Sequence, residues 1–254
     1  MQIHQIRSAT LIITYNNKRF LIDPWLMPKN YMEGFEAGLN SNIRQPRVEL
    51  PVGIEEIVNV DAVILTHYHP DHFDDFAAKA LNKDIPFFVQ SEVDLKNIQS
   101  FGFKDVRVIK EETDFAGVKL YKTNCQHGRR EIIKPLCEEI GMPYESMGVV
   151  FKAQNEKTLY LAGDTIWCNE VQDALAEYCP DVIIINACGA ATITNEKIIM
   201  DIQDVKTISN YARKSIIIAS HMDTVSHLTV TRNHIKKLNL KNVIVPEDNE
   251  VLSF

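Results

Sequence analysis

The sequence predicts a mixed α/β (α+β) fold, two sheets packed face to face with flanking helices, in a single domain over residues 1–254. Three observations carry this. Apolar runs of strand length alternate with amphipathic stretches of helical period along the chain. Three strand-like runs near the middle follow one another with no helix between them, which suggests antiparallel neighbours. No internal repeat, low-complexity tract or linker divides the 254 residues. Two packed sheets with helices outside accommodate all three.

Residues 3–22 alternate well enough for strands joined by a turn at Asn16 and Asn17, and they end at Asp23-Pro24-Trp25. Over residues 27–51 the pattern dissolves among Pro28, Gly34, Gly38, Pro46 and Pro51. A connection that long is often functional. Strands are then expected at 61–66, 86–90, 106–110, 118–124, 148–153, 158–162, 181–186, 215–220 and 242–246. Helices are expected at 54–58, 74–82, 92–101, 169–178, 201–213 and 229–238.

With 45% hydrophobic and 24% charged residues the chain can bury one large core. A formal net charge of −7 argues against a broad basic surface for nucleic acid. Residues 1–7 carry no signal-peptide core, and no apolar run approaches the ~18 residues that span a bilayer. The expectation is a soluble, cytoplasmic protein with a small-molecule substrate and no membrane partner; homo-oligomer formation stays open. Cys125, Cys137, Cys168, Cys179 and Cys188 are odd in number with no CxxC pair, so reduced thiols are expected. Cys168 and Cys188 follow strands and are candidates to line a site.

Residues 67–72 read His67-Tyr68-His69-Pro70-Asp71-His72. Four side chains that bind transition metals share this turn, and an oxygen ligand beside clustered imidazoles suits zinc, manganese or iron. The strand expected before it and the helix after it place the turn at the C-terminal mouth of a strand. In an extended segment His67 and His69 point to one side, and Pro70 limits the backbone so that Asp71 and His72 turn elsewhere. That geometry favours two neighbouring ions over one. Three later apolar strands also run into one ligand-type residue each: His127 before Gly128, Asp164 after Gly163, and His221 after Ser220.

The HxHxDH pattern resembles that of the metallo-β-lactamase superfamily. The resemblance implies a four-layer αβ/βα sandwich with the metal site at one edge between the sheets. It implies His67, His69 and His127 as ligands of one ion, Asp71, His72 and His221 as ligands of a second, and Asp164 as the bridge. Two divalent ions follow, zinc first, with manganese and iron as alternatives. Ions about 3.5–4 Å apart generate hydroxide near neutral pH and stabilise developing oxyanion charge. Asp164 as the bridge and Asp71 as acceptor of a water proton would then be the catalytic carboxylates. Ile22-Asp23-Pro24, Gln126-His127-Gly128-Arg129, Leu161-Ala162-Gly163-Asp164-Thr165 and Ser220-His221-Met222 look like the ascorbate-6-phosphate lactonase branch. The implied function is dinuclear metal-dependent hydrolysis of a small, anionic ester, lactone or phosphodiester, although substrate identity does not transfer with a fold.

Asp23 ends a strand, and either orients a ligating histidine or makes an Asp-Pro turn. Arg129, Arg130, His227 and Arg232 are candidates to hold an anionic substrate, and Asn186 follows a strand that leads toward the site. Trp167 is expected in the core, with a pocket wall as the alternative; His4 and His234 are expected to be surface or structural. No GxSxG elbow supports serine catalysis. Diiron redox or oxygen-sensing members of the same fold are an alternative, but typically carry glutamate where this chain has His69. A nuclease is a second alternative, weakened by the acidic balance.

Overall fold

The structure, a computed structural model, describes residues 1–254. Strands form where β-branched and aromatic residues concentrate. The first sheet contains β1 (Gln2–Arg7), β2 (Thr10–Tyr15), β3 (Lys18–Ile22), β4 (Ala62–Ile64), β5 (Phe87–Val89) and β6 (Val106–Val108). The second contains β7 (Thr113–Phe115), β8 (Val118–Asn124), β9 (Met147–Lys152), β10 (Leu159–Leu161), β11 (Val182–Asn186), β12 (Ile216–Ser220) and β13 (Val243–Ile244). β14 (Val251–Ser253) returns to the first sheet beside β1, completing seven strands in each.

Helices α1 (Ile54–Ile57), α2 (Asp75–Ala80) and α3 (Glu92–Ser100) precede the switch to the second sheet. Helices α4 (Arg130–Ile140), α5 (Asn169–Tyr178), α6 (Ile202–Tyr211) and α7 (Arg232–Lys236) follow. Side chains alternate across each strand, so every sheet has two apolar faces to bury. Leu11, Ile13, Phe20 and Ile22 of the first sheet join Phe151, Leu161, Ile184 and Ile218 of the second in one cluster between the sheets. The opposite face of the first sheet, with Ile12, Leu21, Val63 and Phe87, packs on Ile57, Ala77, Ala78 and Ile98 of α1 to α3. Val150, Ile183, Ile185 and Ile217 of the second sheet pack on Val171, Leu175, Val205, Ile208 and Ile235 of α5 to α7. The four-layer expectation is borne out. No helix is long and apolar enough to cross a membrane.

β3 to β6 and β10 to β13 are parallel within their sheets, whereas β8, β9 and β10 pair antiparallel as expected for the middle of the chain. Asn16 and Asn17 make the β2–β3 turn with φ of 48° and 59°, a left-handed pair that asparagine tolerates. Sequence reading misses β7 and β14, three-residue strands at the sheet ends with too few residues for a period. It also misses α4, because Pro135 sits inside it and proline normally breaks a helix interior. The helix persists because Ile133 and Cys137 bury against Tyr144, and Gly141 closes it in the left-handed conformation. The segment expected to be helical at 229–238 is shorter, Arg232–Lys236.

Candidate metal centre

The parallel strands deliver the ligand-type residues. His67 lies three residues beyond β4, Asp164 three beyond β10, and His221 directly after β12. His127 follows β8 at the same three-residue distance. Across the gap between the sheets, Met147 N–H donates to Thr66 O at 3.1 Å and ties the two edges beside the site. His221 has φ of +61° and Asp23 has φ of +44°, conformations that cost non-glycine residues on the order of 1–3 kcal/mol and persist where the surroundings hold them.

His67, His69, Asp71, His72, His127, Asp164 and His221 are all buried. Their donor atoms converge in three groups, His67 with His69 and His127, His67 with His72 and Asp164, and Asp71 with His72 and His221, each within 4.8 Å. Asp164 Oδ2 lies at the centre, 3.2 Å from His72 Nε2, 3.7 Å from His127 Nε2, 3.8 Å from His67 Nε2 and 4.0 Å from His221 Nε2. One carboxylate oxygen thus faces imidazoles of both groups. His67 Nε2 is buried without a hydrogen-bond partner. Burying such a group uncompensated is costly, and divalent cations satisfy this donor set.

The opposite nitrogens are held by protein. His127 Nδ1–H donates to Ile198 O at 2.9 Å and His69 Nε2–H to Pro143 O at 2.7 Å. His127 therefore offers Nε2, and His69 offers Nδ1. Thr66 Oγ1 donates to Asp23 Oδ2 at 2.8 Å, so it can only accept from His67 Nδ1, 3.1 Å away. Asp23 Oδ2 also lies 2.9 Å from His72 Nδ1. Ser8 Oγ and Cys188 Sγ flank His221 Nδ1 at 3.3 and 3.6 Å. Such partners orient ligating imidazoles. Asn186 donates to Asp164 Oδ1 at 2.6 Å.

Burial would raise the Asp164 carboxyl, but His72 and His221 beside it hold it well below the usual range. Burial holds His67 well below 6.5 and lowers His69 to about 4, with neighbouring imidazoles adding to both, so these rings are neutral and able to ligate. At His72 burial is outweighed by Asp164, Asp23 and Asp71, which push it up to about 10.

A cavity of about 190 Å³ opens over His69, Asp71, His127 and Asp164. Its walls are Phe35 and Gly38 of the 27–51 loop, Ile133, Leu136 and Ile140 of α4, and Ile193 and Ile198. His227 lines it too and is buried.

A family model described as a beta-lactamase superfamily domain matches residues 18–222. The chain belongs to the β-lactamase superfamily. A superfamily relative from Bacillus subtilis (strain 168), UPF0173 protein YddR, is 38% identical over the full length of both chains. A possible metal-dependent hydrolase from Veillonella parvula DSM 2008 has TM-score 0.96 at 40% identity, covering 100% of this chain and 99% of that one. The isothiocyanate hydrolase from Delia radicum gut bacteria has TM-score 0.94 at 37% identity, covering 100% of this chain and 99% of that one. The expected superfamily and its hydrolase class are borne out. These relatives are not named for lactonase activity.

The seven residues expected as ligands converge, but the expected anion-binding arginines do not. Arg129 is exposed and forks onto Glu196 at 2.6 and 2.7 Å. Arg130 lies over the Tyr144 ring at 5.7 Å. Arg232 turns inward to Pro246 O at 2.8 Å, Asp223 at 3.1 Å and Asp248. None lines the cavity, because each guanidinium has a closer acceptor or ring. Asn186 acts on Asp164 rather than on the cavity. Trp167 packs edge-on against Tyr211. Cys188 touches His221, whereas Cys168 lies 3.6 Å from Thr165 Oγ1. His4 meets Asn249 at the surface and His234 caps α7. Sequence reading missed the α4 wall, although Ile133, Leu136, Cys137 and Ile140 already carried helical spacing.

Proposed function

We propose that the chain is a dinuclear metal-dependent hydrolase of a small, neutral, electrophilic molecule with an apolar substituent, isothiocyanates first. The observation that carries this is the apolar cavity beside the ligand cluster, with every candidate arginine engaged elsewhere. An anionic substituent seated along the α4 wall, away from the ions, would lose its hydration there without gaining a side-chain cation. An apolar one is favoured by about 25 cal/mol per Å² removed from water. The anionic lactone or phosphodiester expected from sequence is therefore replaced by a neutral class. The isothiocyanate hydrolase named above supports the same reading at 37% identity over the whole chain.

His67, His69 and His127 would hold one ion, Asp71, His72 and His221 the other, with Asp164 between them. Zinc suits this set, and iron or manganese also fit. When bound, the two ions supply an activated water at neutral pH and a Lewis acid for the bond under attack. The chain does the rest. Asp23, Thr66 and the Ile198 and Pro143 carbonyls orient imidazoles, Asn186 aims Asp164, and the α4 wall seats the substituent and excludes bulk water. The overall reaction is R–N=C=S plus H₂O giving R–NH₂ plus O=C=S.

The test is turnover by protein loaded separately with zinc, manganese or iron, offered phenethyl isothiocyanate, a lactone, a sugar-phosphate lactone and a phosphodiester. Consumption of the isothiocyanate with release of the amine is expected. Turnover of the phosphorylated lactone alone would overturn the reading.

A further inference from the structure

We propose that His227 is a catalytic residue that carries a proton from the attacking water to the nitrogen of the substrate. This rests on the hydrolase reading of the same cavity. Beyond the ligand cluster, the polar side chains lining the cavity are Glu139, Thr192, Thr194 and His227. Glu139 is exposed on α4. Thr192 and Thr194 bond each other through their hydroxyls at 2.9 Å. His227 is different. It is only 4% exposed, yet its Nδ1 has no hydrogen-bond partner, and among such unpartnered buried atoms it belongs to the one imidazole outside the ligand cluster that lines the cavity.

The ring is also held in place. Phe35 packs edge-on against it with centroids 5.1 Å apart. A Cβ at position 38 would sit 2.9 Å from His227 Cβ, so Gly38 lets the 27–51 loop close onto this residue. Ala191 N–H donates to His227 O at 3.1 Å and anchors its backbone. A long loop thus buttresses a histidine that makes no visible structural hydrogen bond through Nδ1. A neutral imidazole has one N–H donor and one lone pair, so it can take one proton and give another.

Hydrolysis of an isothiocyanate needs such a carrier. The water oxygen forms a bond to the central carbon, and the C=N π pair moves to nitrogen. His227 accepts the water proton at one ring nitrogen and gives one to the substrate nitrogen, leaving R–NH–C(=S)–OH. The C–N bond then breaks, its pair stays on nitrogen, and the hydroxyl proton transfers there, releasing R–NH₂ and O=C=S.

The test uses zinc-loaded wild type, His227→Phe, which keeps the ring against Phe35, and His227→Gln, with metal content and Tm recorded for each. Loss of general acid–base help is expected to lower kcat about 100-fold in both variants at unchanged metal content. The dependence of kcat on leaving-amine basicity across ring-substituted phenyl isothiocyanates should become steeper. A slope and kcat matching wild type would overturn the proposal. A second arm needs no turnover: phenylacetonitrile, which is unreactive and ends in a linear nitrogen, is bound and its nitrile stretch recorded. The band should move to lower frequency in His227→Phe as a hydrogen bond is lost. An identical band in both proteins, or no bound band in wild type, would overturn the role of His227. If wild type leaves every isothiocyanate intact, the substrate reading fails while the nitrile band still decides whether His227 meets a ligand nitrogen.

Discussion

Asn186 donates a 2.6 Å hydrogen bond to Asp164 Oδ1, which leaves Oδ2 as the oxygen that faces four imidazoles. Strand β11 places the amide, and the turn after β10 places the carboxylate. Removing the donor frees Asp164 to rotate. Asn186→Ala is expected to weaken metal affinity about 10–100-fold, as losses of such supporting partners typically do. Competition against a chromophoric chelator measures it, and unchanged affinity would show that Asp164 is aimed by packing alone.

Under the dinuclear proposal, Asp164 is a shared ligand and His221 a single-site one, and substitutions separate the two roles. Asp164→Ala removes the oxygen common to the three-histidine group and the Asp71–His72–His221 group, so both ions should be lost or weakened. His221→Ala should leave the three-histidine group able to hold one ion. Elemental analysis after saturation is expected to give two ions in wild type, one in His221→Ala and fewer than one in Asp164→Ala. Two ions retained in Asp164→Ala would refute the bridge.

Metal-free protein should have a pH profile set by opposed imidazoles. His69 and His227 sit at about 4 when folded, below the ordinary 6.5, chiefly because burial disfavours their charge. Their contribution is present above about 6.5 and is lost as pH falls toward 4, where the unfolded chain binds more protons. His72 is raised to about 10 despite burial, by Asp164, Asp23 and Asp71. Its contribution is present below 6.5 and lost as pH rises through 10. The Tm of chelator-treated protein should therefore rise from pH 4 to 6.5 and fall toward pH 10. Because a ligating imidazole must be unprotonated, metal binding at pH 8 should release at least about one proton. Calorimetry in buffers of different ionisation enthalpy reads that release, and an absence of buffer dependence would contradict the protonated His72.

The convergence of the candidate ligands was legible in the sequence because coordination chemistry leaves few residue types to choose from, and strand ends placed His67, His127, Asp164 and His221 where the sheets bring them together. The role of Asp23 was half legible. Its position was clear, but only the fold shows Oδ2 beside His72 Nδ1. The arginines misled because sequence adjacency to a ligand says nothing about direction. Arg129 follows His127 by two residues, yet Glu196 from a distant loop captures it. The α4 wall was hidden by a single proline that the burial of Ile133 and Cys137 outweighs. Proximity in space, unlike period or chemistry, is not written locally.

The α4 wall gives the last prediction, on substrate shape rather than charge. Leu136 lines the cavity one helical turn from Ile133 and Ile140 and is 39% exposed, so it can meet a substituent at the mouth. Leu136→Ala removes apolar contact without touching a metal ligand. The substitution removes three carbons, but at a residue 39% exposed only part of their contact faces the substrate. One methylene's worth of contact is about 1–3 kcal/mol, so kcat/KM for phenethyl isothiocyanate should fall on the order of 10-fold. Methyl isothiocyanate, which does not reach the mouth, should be nearly unaffected. Arg129→Ala provides the contrast: its guanidinium is spent on Glu196, so kcat/KM should stay within about twofold, as for surface changes generally. Equal losses on both substrates in Leu136→Ala would mean that the substituent does not lie along α4, and a large loss in Arg129→Ala would return charge to the recognition of substrate.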